Sequence, residues 1–383
     1  MTIALKVASP TSAAERPIRV MIVDDAIVAR RLLMRWIDAE PDMQVAACLS
    51  TGREAVEQIE RHDPDVVVLD IDMPELDGIS ALPLLLQRKP DLVVIMASTL
   101  TRRSAEISLR ALSLGAADYV PKPEAAPDAI TSAAFQRELI EKIRSLGRRG
   151  GSPARQWRDD AAASRRPPRS DSARPAQAAP FALRAFARAV PQALLIGAST
   201  GGPQALTGLI GEIGGASARA PILITQHMPP TFTTVLAEHL SRASGRPVHE
   251  AEHGEPVVAG GVYVAPGGRH MRVARGRNGT TIALGDDPPI NFCKPAIDPL
   301  LASAAQVWGS GSLAVILTGM GSDGTCGARA IAAAGGSVIA QDESTSVVWG
   351  MPRSVARAGL CSAVLPLGQI AGKINRLFAG DRS

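Results

Sequence analysis

The chain has 383 residues, of which 46% are hydrophobic and 20% are charged. This length allows two or three domains with full cores, and no apolar run approaches the roughly 20 residues of a membrane-spanning helix. The N-terminus lacks a signal-peptide pattern, and the four cysteines show no paired or metal-type spacing. We therefore expect a cytoplasmic protein with reduced thiols and no direct membrane insertion.

The formal net charge of +4 is concentrated in one segment. Residues 148–188 contain ten arginines and three aspartates, a formal +7, which leaves −3 for the rest of the chain. The segment is rich in Arg, Ala, Pro, Ser and Gly and has no sustained apolar periodicity, which predicts a flexible linker. A basic linker is most often simply solvated, and contact with an acidic partner is the less favoured interpretation. No recognition-helix pattern accompanies the arginines, so we expect no nucleic acid partner.

The linker separates two predicted α/β domains. Residues 1–16 are predicted to be a disordered tail, residues 17–147 a first domain and residues 189–383 a second. In the first domain, apolar runs alternate with helical patterns, and the runs cover residues 18–23, 44–48, 65–69, 92–96 and 118–120. Five βα units in about 130 residues predict a doubly wound, flavodoxin-like domain with a five-stranded parallel sheet.

The same alternation continues in the second domain. Its apolar runs cover residues 193–197, 221–225, 262–265, 313–317, 337–340 and 361–364. Right-handed crossovers would make this larger doubly wound sheet mostly parallel. One local exception is predicted, because the runs 272–275 and 280–284 flank Asn278-Gly279, a pair typical of a β-hairpin turn.

Polar side chains follow four strands of the first domain. Asp24 and Asp25 follow the first strand, Asp70 ends the third, Ser98 ends the fourth, and Lys122 follows the fifth. These strand ends share one edge of a doubly wound sheet. Three carboxylates there would repel one another without a cation, and Mg2+ fits that need. A lysine and a hydroxyl nearby would serve a phosphoryl group on an aspartate.

A simpler interpretation makes Asp24 and Asp25 a helix N-cap and Lys122 a surface charge. Each of these residues taken alone favours this simpler interpretation, but the occurrence of such residues at four strand ends of one sheet edge does not. Residues 18–146 resemble a two-component receiver domain, through the motifs Val-Asp-Asp (23–25), Leu-Asp-Ile-Asp-Met-Pro-Glu-Leu-Asp-Gly (69–78) and Lys-Pro (122–123).

The resemblance to receivers implies a role for each residue of this edge. It implies Asp70 as phosphoacceptor, Asp24 and Asp25 as metal ligands together with Asp70, and Ser98 and Lys122 as the switching pair. Receivers often have Tyr or Phe near the position of Tyr119, and this chain keeps one.

A second set of polar residues follows three strands of the second domain. Ser199 lies among glycines after the run 193–197, His227 directly follows the run 221–226, and Asp323 follows a Gly-rich turn after the run 313–317. Serine, histidine and aspartate at three strand ends are what a serine hydrolase on a parallel sheet requires. The five other histidines do not directly follow a buried strand; they are His62, His239, His249, His253 and His270.

Each of these residues also has a competing interpretation. The Gly-rich turn around Ser199 could cradle a phosphate, although no lysine follows it closely. Asp323 could be the N-cap of a helix near 325–334. The chain order Ser, His, Asp differs from the Ser, acid, His order of α/β-hydrolases, so the Gly-x-Ser-x-Gly match at 197–201 does not indicate that fold.

The chain order Ser, His, Asp and the motifs of the second domain together resemble the catalytic domain of chemotaxis protein-glutamate methylesterases (CheB-type). The similarity covers nearly all of residues 190–380, and a receiver joined to this domain is also that family's architecture. It is carried by Ile-Gly-Ala-Ser-Thr-Gly-Gly-Pro (196–203), Gln-His-Met-Pro-Pro (226–230), Tyr-Val-Ala-Pro-Gly-Gly-Arg-His-Met (263–271), Leu-Thr-Gly-Met-Gly-Ser-Asp-Gly (317–324) and Val-Val-Trp-Gly-Met-Pro (347–352).

The resemblance implies a phosphorylation-activated serine esterase. It would hydrolyse glutamate methyl esters on chemoreceptor cytoplasmic domains, and would also deamidate receptor glutamines. Ser199, His227 and Asp323 would form the triad, and the Met320 amide would donate to the oxyanion. A chemotaxis histidine kinase would be the phosphodonor, and the esterase reaction would need no cofactor.

One segment departs from the family's common pattern. Where many members have His-(Arg/Lys)-Pro-Ser-Val-Asp, this chain reads Cys-Lys-Pro-Ala-Ile-Asp at 293–298, which leaves open what that loop contributes to substrate handling. The alternative function is a response regulator whose C-terminal domain only binds a partner or a nucleotide. Turnover of a small ester, lost on changing Ser199, separates the two.

Overall fold

The computed structural model of the chain describes residues 16–122, 129–148, 181–214 and 219–382. Most of the predicted tail and of the predicted linker lies outside these residues. Within them, no helix combines the length and the apolar character that crossing a bilayer requires.

The first domain is the predicted doubly wound α/β unit. Its five parallel strands lie in the order β2-β1-β3-β4-β5, with β1 (Ile18–Val23), β2 (Met43–Leu49), β3 (Val66–Asp70), β4 (Val93–Ser98) and β5 (Asp118–Pro121). Its helices are α1 (Ile27–Asp38), α2 (Gly52–His62), α3 (Gly78–Arg88), α4 (Arg102–Leu114) and α5 (Ala129–Gly147). Every residue of β3 and β4 is buried, because helices cover both faces of the sheet.

The second domain contains a larger sheet, in which seven strands are parallel. Their order is β14-β13-β12-β6-β7-β9-β8, with β6 (Ala193–Ala198), β7 (Ile222–Gln226), β8 (Val248–Glu250), β9 (Val262–Val264), β12 (Ser312–Ile316), β13 (Ser337–Gln341) and β14 (Ala363–Leu365). The separate hairpin is β10 (His270–Gly276) and β11 (Gly279–Gly285). The helices are α6 (Gly202–Glu212), α7 (Phe232–Ser244), α8 (Ile297–Trp308), α9 (Thr325–Ala333), α10 (Met351–Arg357) and α11 (Leu367–Phe378).

The structure confirms the predicted fold class and differs from the sequence patterns in two details. In the hairpin, Gly276 pairs with Gly279, so the turn is formed by Arg277 and Asn278, one residue earlier than predicted. The edge strand β8 was not predicted, because its three residues include a histidine and a glutamate and present no apolar run.

The two domains pack against each other. Helix α4 lies against α6 and α7. The rings of Tyr119 and Phe232 stack between the domains with centroids 4.8 Å apart, and Arg102 forms an ion pair with Glu238, with an N–O distance of 2.6 Å. The buried apolar cluster therefore continues from the first domain into the second.

Residues 181–188, at the end of the predicted linker, lie on the second domain. The Arg184 N–H donates to the Cys361 carbonyl at 2.8 Å, and the Ala187 N–H donates to Ser337 Oγ at 2.9 Å. The ring of Phe181 packs edge-on against Trp349, with centroids 5.9 Å apart. A fragment that keeps these contacts has to begin at Phe181 or earlier.

Candidate functional site

The ends of β1 and β3 bring three carboxylates together at one edge of the first sheet. One oxygen from each of Asp24, Asp25 and Asp70 lies within 4.8 Å of the other two. Lys122 Nζ lies 2.7 Å from Asp24 Oδ2 and 2.8 Å from Asp70 Oδ2. Lys122 contacts two of these carboxylates but carries only one positive charge against their three negative charges, and carboxylate oxygens are the donors that Mg2+ prefers. The donor set therefore fits the predicted magnesium site.

The electrostatics of this pocket favour a charged lysine beside Asp70. Burial raises the pKa of the Asp70 carboxyl, whereas the charge of Lys122 acts in the opposite direction. Burial alone would lower the pKa of Lys122, but the charges and hydrogen bonds of Asp70 and Asp24 outweigh it and raise that pKa. Lys122 therefore stays cationic where a phosphoryl group on Asp70 would carry negative charge.

Ser98 ends β4, next to Asp70 in the sheet order, and its side chain is buried. Its hydroxyl accepts a hydrogen bond from Ser108 on α4, with an O–O distance of 3.1 Å. Because α4 packs on the second domain, Ser98 connects the acidic edge with the helix at the domain interface.

In the second domain, three adjacent strands position the predicted triad. The order β12-β6-β7 places β6, which ends before Ser199, between the strands that lead to Asp323 and His227. The Ser199 N–H donates to the Thr318 carbonyl at 3.0 Å, and Gln226 Nε2 donates to the Ser199 carbonyl at 2.9 Å. The backbone of Ser199 is thus held from both neighbouring strands.

Glycine is needed at two positions around Ser199. Gly201 has a φ of 76°, which only glycine adopts without strain. A Cβ atom on Gly319 would lie 2.7 Å from the Cβ atom of Ser199, closer than real side chains pack. The two glycine-containing turns therefore meet at the serine and leave its half-buried side chain facing the cleft.

His227 Nε2 lies 2.7 Å from Asp323 Oδ2. The same carboxylate accepts N–H groups from Ile297 at 2.6 Å and Asp298 at 3.2 Å, at the start of α8. The residue before α9 is Gly324, with no side-chain cap, so Asp323 is not the N-cap of its own helix. It interacts instead with the N-terminus of α8, whose dipole stabilises the carboxylate.

These contacts set opposite pKa shifts for the pair. Burial would lower the pKa of His227, but the charge of Cys293 and the hydrogen bond to Asp323 raise it to about 10. Burial would raise the pKa of Asp323, but the hydrogen bond and charge of His227 lower it. Burial also raises the pKa of the neighbouring Asp298, to about 6.

The cleft beside Ser199 is a cavity of about 330 Å³. Within the described residues, neither Ser199 Oγ nor the backbone N–H of Met320 has a hydrogen-bond partner, so both are free for a substrate. Five of the cavity's residues are contributed by α5 of the first domain; they are Ala134, Arg137, Glu138, Glu141 and Lys142.

Cys293 and Phe292 also line the cavity, and sequence reasoning assigned neither a role. Cys293 lines the same cavity as His227, and the guanidinium of Arg137 lies 3.8 Å from the centroid of the Phe292 ring. The one signal for Cys293 was the departure from the common His-(Arg/Lys)-Pro-Ser-Val-Asp run.

Comparison with known proteins gives a family match for each of the two domains. Residues 194–374 match the family model of the CheB methylesterase, and residues 20–134 match that of the response regulator receiver domain. The protein-glutamate methylesterase/protein-glutamine glutaminase of group 2 operon of Rhodopseudomonas palustris is 59% identical, with 100% of each chain covered. The protein-glutamate methylesterase/protein-glutamine glutaminase of Nitrobacter hamburgensis is 60% identical over 98% of this chain and 99% of its own.

Among solved structures, the catalytic domain of the CheB methylesterase of Thermotoga maritima is 43% identical. It covers 49% of this chain and 100% of its own, with a TM-score of 0.48. From the two full-length relatives, we conclude that the chain belongs to the CheB methylesterase family, with a response regulator receiver domain preceding the catalytic domain.

Proposed function

We propose that this protein is a phosphorylation-regulated serine esterase that hydrolyses glutamate methyl esters on the cytoplasmic helices of chemoreceptors. The observation that carries the proposal is the His227–Asp323 pair, 2.7 Å apart, beside Ser199 at the ends of adjacent strands. A module that only binds a partner or a nucleotide has no need of a carboxylate-bound histidine next to a serine. The family of the catalytic domain supplies the class of substrate.

In the proposed mechanism, Ser199 Oγ attacks the ester carbonyl and His227 takes the serine proton. Because Asp323 occupies Nε2, the base is Nδ1 of the same ring. Asp323 holds this tautomer and stabilises the imidazolium that forms. The free Met320 N–H donates to the developing oxyanion, a contribution of about 2.7–4 kcal/mol per donor in comparable sites.

Methanol leaves with the proton from His227, and a glutamyl ester of Ser199 is formed. His227 then activates a water molecule, which releases a glutamate carboxylate and restores Ser199. An amide carbonyl can follow the same route with ammonia as the leaving group. We therefore propose that receptor glutamines are a second substrate, as the names of the relatives indicate for those proteins.

We expect the purified chain to release methanol from chemoreceptor membranes that carry methylated glutamates. Release should increase when a small phosphodonor and Mg2+ are added, because the receiver domain controls access to the cleft. The assay measures methanol over time, with unmethylated membranes as the control. A folded, phosphorylated protein that releases no methanol contradicts the proposed substrate.

The receiver domain supplies the proposed regulation. Asp70 would accept phosphate from a chemotaxis histidine kinase, with Asp24, Asp25 and Asp70 holding a Mg2+ ion. That ion would neutralise the charge of the incoming phosphoryl group. Lys122 contacts Asp70 and would pair with the phosphoryl oxygens, while Ser98 connects the site with α4 through Ser108.

The unphosphorylated receiver is proposed to block the cleft. Helix α5 lines the cavity that contains Ser199 and His227, and the Tyr119–Phe232 stack and the Arg102–Glu238 ion pair hold the domains together. Phosphorylation at Asp70 would change the α4 surface and weaken these contacts, which shifts the population toward an open chain.

Weakening the interface should raise the basal esterase activity. Because Glu238→Arg removes the ion pair with Arg102 and places two like charges at the interface, it should raise the methanol release of the unphosphorylated chain by about 2- to 5-fold. Glu343→Arg, an exposed reversal of the same charge away from the interface, is the matched control and should have no effect. Equal activities for both variants and the wild type would argue against blocking.

The activity of a fragment of residues 181–383 tests whether phosphorylation only removes the receiver from the cleft or also assists catalysis. If phosphorylation only removes the receiver, the fragment should match the phosphorylated full chain. If the phosphorylated receiver also assists catalysis, the fragment should be less active than that chain. A fragment no more active than the unphosphorylated chain would rule out blocking.

A further inference from the structure

An exposed aromatic side chain borders the catalytic cleft. Phe292 lines the cavity that contains Ser199, yet it is 74% exposed. Ile290 and Cys293 exchange backbone hydrogen bonds of 3.1 and 2.9 Å, so the ring is carried on a tight turn. The φ of Phe292 is 64°, a left-handed conformation that is unfavourable for a bulky residue. Backbone strain of this kind is found mainly at functional positions, which directs attention to what the ring contacts.

The contact of the ring is a cation of the receiver domain. The guanidinium of Arg137, on α5, lies 3.8 Å from the centroid of the Phe292 ring. At this distance a cation is attracted by the face of an aromatic ring. The docked chain therefore shows which chemistry the ring recognises, namely a cationic side chain carried by a helix.

The same helix also presents a carboxylate to the cleft. Glu141 follows Arg137 by four residues, a spacing that places two side chains on one face of a helix, and it lines the same cavity as Ser199. Glu138 lines the cavity too, but it pairs with Lys142 at 2.9 Å. Glu141 has no ion pair within the described residues. Helix α5 thus offers the cleft a cation and, one turn later, an unpaired glutamate.

This arrangement is similar to that of the proposed substrate. The substrate is a helix that carries glutamate methyl esters, and hydrolysis leaves a glutamate carboxylate beside Ser199. In the docked chain, Glu141 of α5 lies at the same cavity as a glutamate carboxylate on a helix. The contacts that hold α5 at the cleft are therefore a guide to the contacts that would hold the substrate helix.

We infer that Phe292 determines which helices the esterase accepts, by binding a cationic side chain four residues before the esterified glutamate. Arg137 occupies the ring in the docked chain, so the receiver and the substrate compete for the same contact. This inference rests on the proposed hydrolysis of glutamate esters on helices. It adds the rule that selects among those glutamates: an arginine or lysine one helical turn earlier.

Synthetic helical peptides test this rule on the full-length chain in the presence of Mg2+ and a phosphodonor. Each peptide carries one glutamate methyl ester. An arginine stands four residues before the ester, or two residues before it on the opposite face, or is replaced by glutamine. We expect the first peptide to have a KM lower than that of the other two by about 2- to 5-fold with an unchanged kcat, as for an exposed cation on an aromatic ring.

Substitutions at the ring identify the group responsible. Phe292→Leu keeps an apolar side chain but no aromatic face, so it should remove the difference in KM between the peptides, whereas Phe292→Tyr should retain it. Val258→Ala changes an exposed apolar residue that does not line the cavity, and it is the control. Arg137→Ala should also retain the difference, because the substrate contacts the ring and not the receiver.

A small ester without a helix separates this inference from the proposed function. Turnover of N-acetylglutamate γ-methyl ester should be equal in the wild type and in Phe292→Leu. If the peptides have equal KM values in the wild type, or if their difference persists in Phe292→Leu, the inference is overturned and the proposed esterase stands. Loss of the difference in Arg137→Ala overturns it as well, since the ring would then act through the receiver. A wild type that hydrolyses the small ester but neither the peptides nor receptor membranes overturns the proposed substrate, and the rule with it.

Discussion

Ser199→Ala should remove most of the esterase activity while leaving the fold intact. Loss of a triad nucleophile leaves little residual catalysis, so we expect methanol release to fall by about 10³-fold or more. The fold should tolerate the change because Ser199 Oγ has no hydrogen-bond partner within the described residues and its backbone contacts remain. The measurement is methanol release from methylated membranes, together with thermal unfolding of both proteins.

Ser322→Ala is the matched control for this substitution. Ser322 is an exposed serine in the turn that precedes Asp323, and its removal should change the rate little. A folded Ser199→Ala protein with turnover close to that of the wild type would exclude Ser199 as the nucleophile. Loss of activity in both variants would indicate disturbance of the turn instead.

Asp70→Asn should abolish phosphoryl labelling of the chain without lowering its basal esterase activity. The substitution removes the attacking carboxylate, whereas the neighbouring Asp24 and Lys122 still pair at 2.7 Å. Labelling by a small radioactive phosphodonor measures the first effect and methanol release the second. Label that persists in Asp70→Asn would place the acceptor elsewhere.

Asp72→Asn and metal removal complete this experiment. Asp72 is an exposed aspartate two residues further along the chain, and its variant should be labelled like the wild type. A chelator should abolish labelling of the wild type, because the three carboxylates at this edge carry excess negative charge without a cation. Undiminished labelling in the chelator would argue against a divalent metal at Asp24, Asp25 and Asp70.

The sequence predicts the strands best where they are buried on both faces. The Val-rich run of β3 and the run of β6 are continuous apolar segments, and both are central strands. Strand β8 has no such run and was not predicted, because it lies at a sheet edge and has partly exposed side chains. Alternation of strands with helices was enough to indicate the two doubly wound domains.

The site residues likewise divide into those whose position follows from a local sequence pattern and those whose position does not. Ser199 and His227 directly follow strands, so their proximity follows from the parallel topology. Asp323 is seven residues beyond β12, and its contact with the start of α8 depends on a tertiary arrangement that no local pattern encodes. The position of Cys293 in the same cavity as His227 likewise depends on a turn with two left-handed residues, Asn291 and Phe292.

The stacking of Tyr119 on Phe232 has a spectroscopic consequence. The chain has two tyrosines, Tyr119 and Tyr263. The first is buried between the domains, and the second is buried within the catalytic domain, where its hydroxyl donates to the Pro256 carbonyl. Uniform incorporation of fluorotyrosine would therefore give two ¹⁹F resonances. One would report the separation of the domains, and the other would serve as an internal reference in the same sample.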